Sequence, residues 1–194
     1  VLPGYGVTLQ DGFQDTFTST ATAALEWGAF PYARGVIDNW LRYYVRRNGM
    51  ITYRAEELAQ SGRMLTIFAL YVSMTGDAQL LLTHFGKARA HAEWLLYRFN
   101  MALDGFDESD PRHGIIAGGD EGDTFVAFYE TYGSTPLGHK YSTHANVYRG
   151  FEDIGRMWAT VGAATGRTDV AAHAHALLDA APKMRSALQA SLNK

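Results

Sequence analysis

The chain has 194 residues, 47% of them apolar and 19% charged, with a formal charge of −3. That is the profile of one globular domain able to bury a substantial core, without a basic footprint for nucleic acid or an anionic membrane. No apolar run is long enough to span a bilayer, and the lack of cysteine excludes disulfides, thiolate zinc sites and cysteine nucleophiles.

Taken in chain order, residues 1–13 are Gly-rich and irregular. The chain opens at Val1 with no Met, signal or transit pattern, pointing to a processed form or to part of something longer. Its compartment is left open, an extracellular or periplasmic one included. A first helix is expected from about Asp15 to Trp27, capped by Asp15 or Thr16. Gly28 ends it and Pro31 suits the start of a second, running to about Arg47. There Ile37, Trp40, Leu41 and Tyr44 mark one apolar face, and Asp38 and Arg42 are placed for an i,i+4 pair.

After Asn48-Gly49 an extended piece over Met50–Tyr53 leads to a third helix, from Glu56 or Ser61 to Met74. Its last eleven residues are apolar almost all round, which predicts burial on every side. Thr75-Gly76-Asp77 stops it and caps the fourth, about Ala78 to Asn100. A fifth is expected over Thr143–Ala164 and a sixth over Val170–Leu192, kinked or broken at Pro182. Trp40, Trp94 and Trp158 follow the apolar stripes and read as core.

The helices therefore group as three hairpins: an all-α domain spanning residues 1–194. LTIFALYVSMTGD and MWATVGAATGRTD share an apolar helix that ends at TG and restarts at Asp, with ALEWGAFPYA as a looser copy. Such recurrence is the mark of a repeated helix pair. What breaks the period is a loop, or short β-hairpin insertion, at 103–142. It carries seven of the twenty acids (Asp104, Asp107, Glu108, Asp110, Asp120, Glu121 and Asp123) among glycines and aromatics. A connection this long in a compact domain is usually functional or disordered, and its aromatic content argues against disorder.

HGIIAGGDEGDTF and YSTHANVYRGFEDIGRMWATVG together resemble two segments of the six-hairpin (α/α) toroid glycosidase superfamily. The first matches "GLI-x-G-x-x-E-x-D" at Gly114, Ile115, Ile116, Gly118, Glu121 and Asp123. The second matches "Y-x-x-x-A-x-x-x-R-G-L-x-x-x-G" at Tyr141, Ala145, Arg149, Gly150, Phe151 and Gly155. A complete toroid has six hairpins, so the resemblance implies about half a ring. The remaining half would come from the same or another chain. It also implies a glycoside hydrolase-like protein using carboxylate general acid/base catalysis, or a non-catalytic carbohydrate-binding or assembly subunit on the same scaffold.

Such hydrolysis needs one protonated and one ionised carboxyl group flanking the scissile bond. Glu121, between Asp120 and Asp123, suits the acid, because neighbouring negative charge raises a carboxyl pKa. Asp123 is the second choice, or a ligand to sugar hydroxyls together with Asp120. The base is expected among Asp15, Asp11, Glu26 and Glu57. Trp27, Tyr129, Tyr132 and Tyr141 offer faces for sugar rings, and Arg54 and Arg149 can bind hydroxyls or position a carboxylate.

Each of these has a plainer reading. GGDEGD can be a solvated turn, Glu57 a residue favouring the helix dipole, and Arg149 or Arg156 a helix-surface partner of Glu152 or Asp153. No cofactor is called for. Calcium would draw on the loop's acids, but their spacing fits no standard calcium loop.

Overall fold

A computed structural model describes residues 14–51, 57–118 and 138–194, with side chains in the first stretch from Phe17 onward. Six α-helices dominate: α1 (Gln14–Glu26), α2 (Phe30–Asn39), α3 (Leu58–Thr75), α4 (Ala78–Asp104), α5 (Tyr141–Thr165) and α6 (Thr168–Leu192). Two-residue strands, β1 (Ala117–Gly118) and β2 (Gly138–His139), pair antiparallel between α4 and α5. None of the described helices is long and apolar enough to cross a membrane.

The punctuation follows the sequence closely. Pro31 stands in the first turn of α2, and Gly76 and Gly166 end α3 and α5 in the left-handed conformation at φ 71° and 68°. Asp77 caps α4 by accepting the Leu80 N–H at 3.1 Å. Burial pushes the Asp77 carboxyl up, but hydrogen bonds from Tyr71, Arg34 and Leu80 outweigh that and hold it below the usual carboxylate range.

Four expectations need correction. α1 is already helical at Gln14, so neither Asp15 nor Thr16 precedes it as a cap. α2 passes at Trp40–Tyr44 into a π-helical turn and leaves it extended at Val45, short of Arg47. Lys87 on α4 donates to the carbonyls of Arg42 and Val45, satisfying acceptors that the helix end leaves free. α6 runs unbroken through Pro182. Finally, α3 is not buried all round: Leu70 is 41% and Met74 52% exposed, on one face with Arg63 and Ser73.

Contacts between hairpins fix two layers. Arg34, Asp38 and Gly49 meet Asp77, His84 and His91 in the same chain order, so α2 and α4 run parallel. Thr18 on α1 donates to Gln60 Oε1 on α3 at 2.8 Å. Further along, Leu58 and Thr143 both touch Gly118, while Gly62 abuts Asn146 and Gly150, so α3 and α5 also run parallel. Thus α1, α3 and α5 line up in one layer, with α2, α4 and α6 behind them. The core between the layers includes Ile37, Trp40, Phe68, Leu81, Phe99, Phe151 and Trp158. Trp94, expected in it, is only half-buried at its edge.

The closest approach between two helices lies within the front layer. A Cβ built on Gly62 would stand 2.4 Å from the Asn146 carbonyl oxygen, and one on Gly150 2.5 Å from that of Gly62. Both distances are shorter than any relaxed contact, and the obstacle is backbone, which cannot swing aside. Gly86 on α4, by contrast, has open space around it. Gly62→Ala and Gly150→Ala should each therefore cost about 1–3 kcal/mol or more by overpacking, while Gly86→Ala should stabilise by roughly 0.5–1 kcal/mol through helix propensity. Urea unfolding midpoints of the three variants check this; a Gly150→Ala protein as stable as the parent would refute the close approach.

Candidate functional site

Because α1, α3 and α5 are parallel neighbours, their N-terminal ends share one rim. Buried polar groups concentrate there. Of nine buried polar residues among those described, six belong to it: Thr18, Glu57, Gln60, Ser61, Thr143 and His144. Glu57, directly before α3, is only 2% exposed, and its carbonyl accepts the N–H groups of Gln60 and Ser61 at 3.1 and 3.2 Å. Gln60 spends its Oε1 on Thr18, leaving its buried Nε2 without an acceptor among the described residues. An unpaired buried donor costs about 1–3 kcal/mol.

Histidines secure the rim's outer edge. His144, fully buried, donates from Nε2 to the Met184 carbonyl at 2.8 Å and accepts the Ile116 N–H at 3.5 Å. Burial lowers its pKa, the Met184 carbonyl opposing. His139 Nδ1 donates to the Ile115 carbonyl at 2.6 Å, and His113 Nδ1 to that of Phe106 at 2.7 Å. The chain between α4 and β1 is thereby tied down, and Gly118, packed on Leu58 and Thr143, stands at the rim. Tyr141, 44% exposed, begins α5 beside it and shares a hydrogen bond of 3.1 Å with Ser191 of α6.

The sequence-derived candidates divide three ways. Glu121, Asp123, Asp120, Tyr129, Tyr132, Arg54 and Asp11 lie outside the described residues, as does the side chain of Asp15, whose backbone is in the first turn of α1. The acids that a calcium site would use at GGDEGD are among them. Tyr141 and Glu57 stand at the rim. Trp27 and Glu26 do not: they end α1, nine and eight residues beyond Thr18, so at 1.5 Å per residue about 12–14 Å from the rim along the helix. Trp27, 88% exposed, and Tyr141 therefore cannot share one sugar ring.

Two charged residues of the motif region are already committed. Arg149 is exposed and paired with Asp153 at 2.6 Å, and Arg156 pairs with Glu152 at 2.6 Å, the helix-surface arrangement that their spacing offers. Asp110 in the acid-rich stretch is held at about 2 by hydrogen bonds from Arg112, which leaves it ionised and unsuited to acid catalysis. Thr18, Gln60, Thr143 and His144 were not singled out in the sequence, yet a signal exists. Thr18, Gln60 and His144 each place a polar side chain within the first five residues of α1, α3 and α5, among apolar neighbours.

Compared with known proteins, the chain matches no family model, no curated protein and no solved structure.

One electrostatic feature supports the layers behind the rim. His91 on α4 is fully buried and donates from Nδ1 to the Gly49 carbonyl at 2.7 Å. Burial pushes its imidazole from 6.5 down to about 4, with the Gly49 and Ser61 backbone opposing. The unfolded chain accepts a proton that the folded one refuses, so the stability from neutral His91 is complete above its unfolded value and drains as pH falls toward about 4. Unfolding free energy should drop by about 3 kcal/mol over that window, with His144 acting in the same direction, and His91→Gln should flatten the slope. Urea titrations at several pH values test this; stability that rises on acidification would contradict it.

Proposed function

We propose that this chain is a glycoside hydrolase-like protein of the (α/α) toroid type, half of a ring, with its carbohydrate site at the rim where α1, α3 and α5 begin. The observation that carries the reading is the gathering of buried polar side chains, one of them a carboxylate, at the shared N-terminal ends of the front layer. Helix N-termini favour negative charge, which suits a base that must stay ionised. The spare Nε2 donor of Gln60 is the type of group that fixes a sugar hydroxyl.

The remaining roles go to residues near the rim in sequence. Glu121 follows Gly118 by three residues and Arg54 precedes Glu57 by three. In this reading Glu121 is the general acid, its pKa raised by Asp120 and Asp123. Glu57 or Asp15 is the base activating water, with the carboxyl groups about 6.5–9.5 Å apart for inversion. Tyr141 offers a ring face, joined by Tyr129 and Tyr132. Asp123 and Asp120 bind hydroxyls.

A second reading, a non-catalytic carbohydrate-binding or assembly subunit, is favoured by the other end of the front layer. Trp27, Leu70 and Met74 are large, apolar and exposed there, as expected of a surface that a further set of hairpins covers.

Both readings are tested on 4-nitrophenyl glycosides and oligosaccharides. Under the first, the parent protein hydrolyses at least one, and Glu121→Gln lowers the rate about 10²–10⁴-fold while sugar binding persists. Binding without hydrolysis in the parent selects the second reading, and neither binding nor hydrolysis rejects both.

A further inference from the structure

Behind the rim, on the outer layer, the turn after α2 and the middle of α4 border an open hollow of about 360 Å³, lined by residues that include Arg47, Asn48, Arg89, Glu93, Trp94 and Tyr97. That volume is within the range of small-molecule sites. Its walls are held firmly. Gly49, at φ 83°, packs so tightly on α4 that a Cβ there would stand 1.9 Å from the Ala90 carbonyl oxygen. The His91–Gly49 hydrogen bond fastens the same turn. Trp94 is half-buried, its inner side near His91 with ring centroids 5.7 Å apart, so its position is set by the core.

The charges are unevenly spent. Glu93 is shared between Arg89, at 3.8 Å, and His173, at 3.3 Å, and Arg89 also reaches His173 at 3.4 Å. The one acid of the hollow thus has cationic company. Arg47 makes no ion pair or side-chain hydrogen bond among the described residues, so no partner there offsets its charge at the hollow's edge. A guanidinium fork matches a carboxylate in two parallel hydrogen bonds, and Trp94 with Tyr97 supplies the apolar face on which a ring packs.

We propose that this hollow binds a small ring-shaped acid, its carboxylate on Arg47 with Arg89 behind, its ring against Trp94 and Tyr97. An aromatic acid and a sugar acid share that chemistry. The proposal stands on the outer face alone and does not depend on sugar cleavage at the rim.

The full chain, labelled with ¹⁵N, is titrated separately with benzoate and glucuronate, and with their uncharged counterparts benzamide and glucose. At least one acid should move the Asn48 amide and Trp94 indole signals with a millimolar or tighter dissociation constant, well ahead of its uncharged counterpart. Which acid does so identifies the ring. Arg47→Ala, at an exposed position, should weaken binding about tenfold or more, and Arg47→Lys, keeping the charge without the fork, by less. The proposal is overturned if neither acid shifts these signals at about 20 mM, if charged and uncharged ligands bind alike, or if Arg47→Ala binds as the parent does.

Discussion

Backbone contact between α3 and α5 is the constraint from which the remaining geometry follows. With Gly62 and Gly150 at the crossing, the two helices approach more closely than any side chain would allow. Glycines also face α6, Gly155 against Leu178 and Gly162 against Ala171, so α6 packs on α5, though less closely than α3 does. The contacts run in the same chain order, from Leu58 and Thr143 at Gly118 to Gly62 and Gly150 at the crossing, so α3 and α5 share a direction. Their N-terminal ends then coincide, and Glu57, Gln60, Thr143 and His144 become neighbours at one rim. Polar residues buried there are costly unless paired, and most find partners within the layer or in the backbone that crosses it.

Polar ties, rather than apolar area, fix the connections. Asp77 takes hydrogen bonds from Tyr71, Arg34 and the Leu80 amide at one hairpin turn. Asp38 joins His84 and Arg42, and the Arg42 hydrogen bond foremost holds its carboxyl below the usual range. His91, His113, His139 and His144 each contact a backbone carbonyl across a turn or between elements. Neutral imidazole serves well in this role, since it supplies a directed N–H donor without a buried charge.

The helices were legible because their period is strong and their stops are glycine, proline and aspartate in standard places. Asp77 and Gly76 show this well. The exposed face of α3 was not, because Leu70 and Met74 look like core and only the absence of a neighbour leaves them open. The π-helical end of α2 was hidden too, and its free carbonyls are met by Lys87, forty-odd residues away. As for the site, Glu57 and Tyr141 were nameable from type and position. Trp27 was named with them although it stands at the other end of the layer, since sequence gives an aromatic's character but not which end of a layer it occupies. Gln60 and Thr18 were overlooked because a polar residue near the start of a largely apolar helix reads as noise until its burial is seen.

The most direct test of the central claim is to map amide chemical shifts while a panel of neutral and acidic oligosaccharides is titrated into the full chain. Shifts concentrated at Thr18, Glu57, Gln60, Ser61 and Thr143 are the expected result. Shifts centred instead on Trp27, Leu70 and Met74, or none at all, would contradict a carbohydrate site at the N-terminal rim.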